Sequence, residues 1–357
     1  MKSEFGGTPT TNGRSSRDDR PFRFVHESER DVHPSGQVPP MTHNDLPMAD
    51  DHSLVPDWKQ ADPAAIARSL AAARAKPSGG WLVVDSTRTL LGLRGRRRYW
   101  IDGCEFVAWT TIDHGLTLAP ATCPHMGADL SAAKVNDEGC LVCPWHGLEL
   151  PPSGLGERWR PAHLFDDGVL TWIQLDPSSP TATVEPILSE RPSVHLDGVI
   201  RKVARCEPED VIANRLDPWH GVHFHPYAFH DLVVTRATDE AIDLDVSYRV
   251  TRKHRLRVGA RFSCPEPNTI VMTITSGEGA GSVVETHATP LERASAKGAP
   301  RTAIVEATLA TSDRPGFVHA MTGASVARPL IKLLAARLWN DDAKYAERLY
   351  ELRSRAR

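Results

Sequence analysis

The residues best suited to chemistry form two cysteine and histidine pairs in the first half of the 357-residue chain. One residue separates Cys123 from His125, and two residues separate Cys143 from His146. Two thiolates on one iron and two imidazoles on a second iron suit a [2Fe-2S] cluster. The same four ligands could bind zinc, but zinc sites usually pair cysteine with cysteine and histidine with histidine. The interleaved spacing therefore favours the cluster and leaves zinc as the alternative.

The segments around these pairs resemble a known type of iron-sulfur loop. Cys-Pro-His-Met-Gly-Ala-Asp-Leu (123–130) and Cys-Pro-Trp-His-Gly (143–147) are similar to the two Rieske loops of ring-hydroxylating oxygenases and their ferredoxins. Respiratory Rieske proteins carry an additional disulfide-forming cysteine in each loop, where this chain has Ala128 and Trp145. The resemblance implies that the two pairs hold the cluster. It also implies the low end of the Rieske range of reduction potentials, from about −150 mV upward.

The remaining cysteines match no ligand position in this pattern. They are Cys104, Cys140, Cys206 and Cys264. Buried roles as small apolar side chains are the ordinary expectation for free cysteines. We therefore assign them no chemistry.

A second group of chemically suited residues follows at Asn214, Asp217, His220, His223 and His225. Two imidazoles and one carboxylate on one face of an iron leave positions open for O2 and substrate. The histidines alone could equally be surface or core residues. The spacing Asn-x2-Asp-x2-His-x4-His, however, resembles the iron motif of Rieske oxygenase catalytic domains. The resemblance implies that His220 and His225 bind Fe(II) and that His223 does not.

The third iron ligand is expected late in the chain. The resemblance implies a carboxylate in an acidic doublet followed by a glutamate, and Asp341, Asp342 and Glu347 fit this pattern. At about 100° per residue, Asp342 falls on an apolar helix stripe, whereas Asp341 lies near Lys344 as an ordinary surface pair. The stripe consists of Ile331, Leu334, Leu338, Tyr345 and Leu349. Because an acid among apolar residues is costly unless it is paired or bound to metal, Asp342 is the predicted ligand.

Asp217 has two possible roles. An aspartate before a proline, here Pro218, is typical of a helix N-cap that accepts backbone N–H groups. The resemblance implies instead that Asp217 bonds to His220 and, across a subunit contact, to the partner subunit's His146. Both roles stay open from the sequence.

The chain divides into four predicted segments. Residues 1–55 lack an apolar period and are expected to be disordered. Residues 56–79 contain one short helix at 63–75, which Asp62 caps in the sequence pattern. Residues 80–177 show short β-rich runs between turns, which predict a small all-β Rieske domain. Residues 178–357 form the expected catalytic domain.

The last segment predicts an α+β fold. Longer strands are expected at 231–238, 242–251, 254–264, 269–276, 282–290 and 302–311, followed by a helix at 328–355. Consecutive strands with helices gathered at the ends favour an antiparallel sheet. The resemblance implies a helix-grip (START-like) domain.

Composition excludes some classes of protein. The formal charge of −3 and the scattered basic residues argue against a nucleic-acid partner. No apolar run approaches the roughly 18 residues that a spanning helix needs, so a soluble cytoplasmic protein without an integral membrane segment is expected.

Taken together, the motifs predict the terminal oxygenase component of a Rieske non-haem iron system. The absence of a flavin or NAD(P) fingerprint implies a separate reductase or ferredoxin as electron donor. Family likeness also implies O2 as co-substrate and a homotrimer. Apolar strand residues such as Ile270, Met272 and Ile274 hint at a hydrophobic small-molecule substrate of aromatic, steroid or isoprenoid type, although ordinary core packing is the more frequent explanation for each of them. Two alternatives remain: a Rieske electron carrier fused to a non-catalytic lipid-binding domain, and a zinc-binding interaction protein.

Overall fold

The computed structural model describes residues 56–93, 95–113, 115–249, 254–295 and 298–355. The predicted disordered N-terminal segment lies outside the described residues. Within the described residues, no helix is both long enough and apolar enough to cross a membrane.

The N-terminal part begins with helices α1 (Asp57–Gln60) and α2 (Pro63–Arg74). The side chain of Asp62 accepts the backbone N–H of Ala64 at 2.9 Å, so the predicted cap forms. Nine short strands and one helix follow: β1 (Trp81–Ser86), α3 (Thr87–Leu91), β2 (Arg96–Ile101), β3 (Cys104–Thr111), β4 (Gly115–Pro120), β5 (Lys134–Val135), β6 (Leu141–Val142), β7 (Glu149–Leu150), β8 (His163–Asp166) and β9 (Leu170–Gln174). They form three small antiparallel sheets in the orders β1-β9-β8, β2-β3-β4 and β5-β6-β7.

Local sequence explains these sheets. The turn from β2 to β3 is the dipeptide Asp102-Gly103, both residues have positive φ, and Ile101 pairs with Cys104 across it. This is the two-residue turn that matches the twist of antiparallel strands. Trp109 stacks on Trp159 with ring centroids 6.2 Å apart and supports the core beneath the cysteine loops. The predicted all-β domain is confirmed.

The C-terminal part is built on one seven-stranded antiparallel sheet in the order β10-β16-β15-β14-β13-β12-β11. Its strands are β10 (Leu196–Ala204), β11 (Phe229–Ala237), β12 (Ala241–Arg249), β13 (Arg255–Glu266), β14 (Thr269–Gly277), β15 (Val283–Glu292) and β16 (Arg301–Ala310). The helices are α4 (Pro208–Arg215), α5 (His220–Phe224), α6 (Phe317–Thr322) and α7 (Ala324–Arg355). A large antiparallel sheet, with two helices between β10 and β11 and two after β16, confirms the α+β prediction.

Strand β10 is absent from the strands predicted by sequence. Gly198 lies within it, and a Cβ atom built there would come within 2.4 Å of Cγ2 of Ile331 on α7. A glycine inside a strand weakens the local β pattern but permits close approach of another element. The long helix α7 therefore packs directly over β10 at this point.

This contact gives a first prediction. Gly198→Ala will lower the free energy of unfolding by about 1–3 kcal/mol, because the added methyl group overpacks a filled interface. Urea denaturation measures the change. The double variant Gly198→Ala, Ile331→Ala should recover a large part of the loss, and an equal loss in both proteins would show that the contact with Ile331 is not the cause.

A buried ion network joins the two parts. Arg191 donates to both carboxylate oxygens of Glu285 on β15 at 2.7 and 2.6 Å and lies 3.0 Å from Asp167. Burial alone would raise the pKa of Glu285, but hydrogen bonds from His287 and Arg191 lower it to about 2. The network therefore holds the loop before β9 against the large sheet with fully paired charges.

Candidate metal centres and adjoining cavity

The predicted cluster residues lie on two loops of the same shape. The N–H of Gly127 donates to the carbonyl of Cys123 at 2.9 Å, and the N–H of Gly147 donates to that of Cys143 at 3.0 Å. Both glycines have positive φ, 81° and 71°, which other residues rarely adopt. The rings of the two neighbouring histidines, at positions 125 and 146, have centroids 5.0 Å apart. The structure thus brings all four predicted cluster residues together.

The surroundings of the sulfur atoms suit an iron-sulfur cluster. Burial alone would raise the pKa of the Cys143 thiol, but the N–H groups of Trp145 and His146 and a hydrogen bond from Cys123 lower it. Such N–H groups favour thiolate sulfur, the form that binds metal. The cysteine side chains are buried, whereas His125 and His146 are exposed. The histidine end of the centre therefore lies at the protein surface.

The spacing of the four side chains argues against zinc. A tetrahedral zinc site brings its ligand atoms to about 3–4 Å from one another, given metal–ligand bonds of about 2.0–2.3 Å. Among the described residues, only one group of three or more His, Cys, Asp and Glu ligand atoms lies within 4.8 Å of one another, and the cysteine and histidine pairs are not that group. Their wider separation fits a binuclear cluster better than a single ion.

The other cysteines lie away from this centre. Cys206 and Cys264 are buried, as expected, and burial raises the pKa of the Cys264 thiol to about 12. The expectation is wrong for Cys104, which is exposed because it opens β3 directly after the turn. Cys140 is half-buried, and its backbone N–H donates to the side chain of Asn136.

The second group of predicted ligands meets at the end of a cavity in the C-terminal part. Nε2 of His225 lies 2.8 Å from Oδ1 of Asp342, and Nε2 of His220 lies 3.2 Å from the same oxygen. The ligand atoms of these three residues all lie within 4.8 Å of one another. Helix α5 begins with His220 and is followed directly by His225, whereas Asp342 comes from α7.

Electrostatics at this triad favour an anionic carboxylate. Burial alone would raise the pKa of Asp342, but hydrogen bonds with His220 and His225 hold it well below its usual value. Burial alone would lower the pKa of His220, but the hydrogen bond with Asp342 raises it above its usual value. Nδ2 of Asn214 lies 3.5 Å from Oδ1 of Asp342, the same oxygen that the two histidines contact. Two imidazoles and one buried carboxylate are the ligand set of non-haem Fe(II) oxygenases, and the site fits that ion.

Helix α7 explains how the acid is placed, with one correction. Ala335, Trp339, Asp342 and Ala346 form its buried face. The predicted stripe residue Leu334 is 56 % exposed, so the stripe is not a packed core face. Ile331, Leu334 and Leu338 instead line the cavity together with Asp342.

Asp217 does not cap a helix. The N-cap of α5 is Trp219, which makes no side-chain cap bond, so the cap interpretation is wrong. Instead, the hydroxyl of Tyr345 donates to Oδ2 of Asp217 at 2.8 Å, and Nδ1 of His220 contacts the Asp217 carbonyl. Oδ1 of Asp217 is buried and has no hydrogen-bond partner among the described residues. Asp217 is thus held beside His220 with one acceptor atom left over.

Three further residues near the triad have other partners or support it. His223 is exposed and pairs with Asp57 at 2.9 Å, away from the triad. Asp341 accepts from the hydroxyl of Tyr227 at 3.0 Å, and Nδ1 of His225 lies 3.3 Å from that hydroxyl. The sequence did not indicate Tyr227, although its position two residues after His225 is the available signal. It orients a ligand imidazole, as partners behind metal ligands commonly do.

A cavity of about 450 Å³ adjoins the triad between the large sheet and α7. Most of its lining is apolar and includes Phe229, Leu232, Leu244, Val246, Met272 and Ile274. Ile270, which the sequence grouped with the last two, belongs to the core instead. A mainly apolar pocket with polar groups at defined points is typical of a small-molecule site.

Comparisons with known proteins agree with this architecture. A family model described as the Rieske [2Fe-2S] domain matches residues 80–163, and one described as a domain of unknown function (DUF5914) matches residues 178–357. None of the curated proteins matches the sequence.

Solved structures resemble the chain in fold. A crystal structure of dicamba monooxygenase bound to dicamba has a TM-score of 0.56 at 16% identity, covering 78% of this chain and 89% of that chain. The same enzyme bound to 3,6 dichlorosalicylic acid gives a TM-score of 0.57 at 16% identity with the same coverage. The quaternary ammonium Rieske monooxygenase CntA has a TM-score of 0.48 at 14% identity, covering 79% of this chain and 80% of that chain.

The chain therefore combines a Rieske [2Fe-2S] domain with the fold of Rieske oxygenase catalytic subunits, which confirms the predicted resemblance at the level of fold. It belongs to the family described as a domain of unknown function (DUF5914), whose model matches just over half of the chain.

Proposed function

We propose that this chain is the terminal oxygenase component of a Rieske non-haem iron system. A separate reductase or ferredoxin supplies electrons to a [2Fe-2S] cluster held by the two cysteine and histidine pairs. His220, His225 and Asp342 hold a mononuclear Fe(II). The substrate is a hydrophobic small molecule that enters the apolar cavity, and the product is its hydroxylated form. The protein acts in the cytoplasm.

One observation carries this proposal: a buried carboxylate lies between two imidazoles in the wall of an apolar cavity. Nothing in simple core packing requires an acid at that point, since burying it is costly without a partner. When bound, Fe(II) at this site supplies O2 activation. The likeness in fold to dicamba monooxygenase, which is an oxygenase, supports the same function.

The residues of the chain perform the other tasks. Apolar side chains such as Phe229 and Leu232 exclude water from the reacting carbon, and the triad fixes where the substrate must approach. Tyr227 and Tyr345 hold His225 and Asp217 in place through their hydroxyl groups. The exposed His125 and His146 provide the surface at which electrons enter and leave the cluster.

The position of Asp217 beside His220 suits a homotrimer. In a ring of identical subunits, each cluster lies beside the next subunit's iron site. The carboxylate of Asp217 then accepts from the partner subunit's His146, while the Tyr345 hydroxyl and the contact of His220 with the Asp217 carbonyl hold the residue in place. Analytical ultracentrifugation of the full chain tests the trimer.

Asp217→Asn tests this route for electrons. Both metal centres should load normally, but product yield from the pre-reduced protein should fall at least about tenfold, because asparagine has no negative charge with which to accept the imidazole N–H of the partner subunit's His146. The measurement is a single-turnover reaction on a sample whose iron content and melting temperature are known.

The matched control for this variant is Asp57→Asn. Asp57 contacts His223, which we expect to bind no iron, so this variant should keep its full yield. Wild-type yield in a fully metallated Asp217→Asn protein would remove the bridging role.

Activity is tested with a surrogate reductase and ferredoxin, a panel of aromatic, steroid and isoprenoid compounds, and isotopically labelled O2. The proposal expects a product that carries the label and that His225→Ala does not form. Reduction and reoxidation of the cluster with no labelled product from any compound would favour the electron carrier fused to a lipid-binding domain.

A further inference from the structure

Arg215, Tyr248 and Glu306 are three polar residues in the lining of the apolar cavity. These residues come from α4, β12 and β16, so the fold, and not local sequence, brings them to the same cavity. The charge of Arg215 lowers the pKa of both Tyr248 and Glu306, and the charge of Asp342 raises that of Glu306.

Arg215 is a cation whose Nε is unpaired among the described residues. Its guanidinium lies over the ring of Phe262, 5.3 Å from the centroid. Nε is buried and has no hydrogen-bond partner in the described part of the chain. A guanidinium has five N–H donors in a flat fork that matches a carboxylate. Leaving such a group unpaired beside an apolar cavity is costly unless a ligand completes it.

Glu306 does not neutralise Arg215 directly. Its carboxylate accepts from Nε1 of Trp339 at 2.7 Å and from the hydroxyl of Thr286 at 3.4 Å. Burial raises the pKa of Glu306, with Arg215 and Trp339 acting in the opposite sense. The neutral form is therefore favoured more than for an ordinary glutamate, which leaves the positive charge of Arg215 less compensated.

Tyr248 adds a second donor. It is half-buried and its hydroxyl has only a weak acceptor, the sulfur of Met272 at 3.8 Å. Burial raises the pKa of Tyr248 to about 12, so the hydroxyl keeps its proton at neutral pH. Arg215 and Tyr248 together present N–H and O–H donors to a molecule in the cavity, and the other acid on its sheet side, Glu278, is paired with Arg314.

We propose that the substrate is a mainly apolar molecule that carries a carboxylate, which Arg215 binds with Tyr248 as a second donor. The apolar remainder lies along the residues that line the cavity, and the carboxylate anchors it so that one carbon faces the triad. This inference rests on the proposed function for the use of the cavity, and it adds the chemical class of the substrate.

The test measures binding alone, so it does not depend on turnover. Isothermal titration calorimetry on the oxidised full-chain protein compares 2-naphthoate with naphthalene-2-carboxamide, a neutral analogue of the same shape. The expected result is that the acid binds at least about tenfold more tightly than the amide, the effect of about one charge-assisted hydrogen bond. The cationic analogue 2-naphthylmethylamine should bind less tightly than either.

Three variants locate the source of this preference. Arg215→Met keeps the apolar contact with Phe262 but removes the charge, so acid and amide should bind about equally. Arg215→Lys should keep part of the preference, because ammonium lacks the flat fork. Arg261→Met is the matched control, since Arg261 is exposed on β13 and pairs with Asp243, and it should bind like wild type.

Two results would overturn the proposal. Equal binding of acid and amide to the wild-type protein would do so even if Arg215→Met failed to fold. Retention of the full preference in a folded Arg215→Met protein, with an unchanged cluster spectrum, would show that Arg215 is not the anchor. An acid preference that survives while no oxygenated product forms would instead count against the proposed reaction and not against this binding site.

Discussion

Replacing His220 or His225 with alanine will remove the mononuclear iron and reduce oxygenation at least about a hundredfold while leaving the cluster intact. Each imidazole supplies one of three ligands, and two ligands hold Fe(II) much less tightly than three. His225 is the more severe loss, because its side chain is buried and lies closest to Asp342. Iron per chain, cluster absorption and labelled-product yield are measured on the same preparations.

His223→Ala is the matched control for this pair. His223 is on the same short helix as His220, but its side chain is 70 % exposed and pairs with Asp57. We expect it to keep full iron content and activity. Equal iron loss in all three variants would show that the ligand pair is misassigned.

The cluster gives the second large effect. Cys143→Ala will abolish the visible spectrum of the cluster, because both thiolates are needed on one iron and no other described cysteine lies at that position. Loss of the cluster also stops electron supply, so turnover should fall below detection. Absorption and acid-labile sulfide are measured after anaerobic reconstitution.

Cys140→Ala is the control for this variant. Cys140 precedes Cys143 by only three residues, yet its bonds in the turn are made by its backbone N–H and carbonyl, both with Asn136, and a change of side chain keeps them. The variant should assemble the cluster normally. An intact Rieske spectrum in Cys143→Ala would refute the ligand assignment, whereas loss in both variants would point to a folding defect of the loop.

The parts of the site that could be predicted from sequence are those with short, fixed spacing. The two cysteine and histidine pairs lie on single loops, and His220 and His225 lie five residues apart, so their proximity follows from local chain geometry. Asp342 lies more than a hundred residues after His225, and only the resemblance to the family and its position on a helix indicate it as a ligand. Its place in the triad reflects the crossing of α7 over the sheet.

The parts that could not be predicted depend on tertiary packing. Arg215, Tyr248 and Glu306 line the same cavity but come from three elements, and a single sequence does not give the register of those elements. Strand β10 escaped prediction because Gly198 interrupts its β pattern, and only the approach of Ile331 explains that glycine. Leu334 was expected in a packed face, but the cavity takes the place of the core there.

The role of Asp217 depends on a contact that is distant in sequence. Asp before Pro218 is a common cap pattern, yet the carboxylate is bound by Tyr345, from a helix more than a hundred residues away. To cap α5, Asp217 would have to be the residue directly before the helix. The helix begins at His220, so Trp219 occupies that position.

Two distinct iron centres on one chain can be counted directly. Iron and acid-labile sulfide per chain are measured in the anaerobically reconstituted wild-type protein, with electron paramagnetic resonance before and after addition of nitric oxide. We expect about three iron atoms and about two sulfides per chain, a Rieske signal on reduction, and a separate nitric oxide signal from high-spin Fe(II). About two iron atoms, all within the cluster and with no nitric oxide signal, would contradict this expectation.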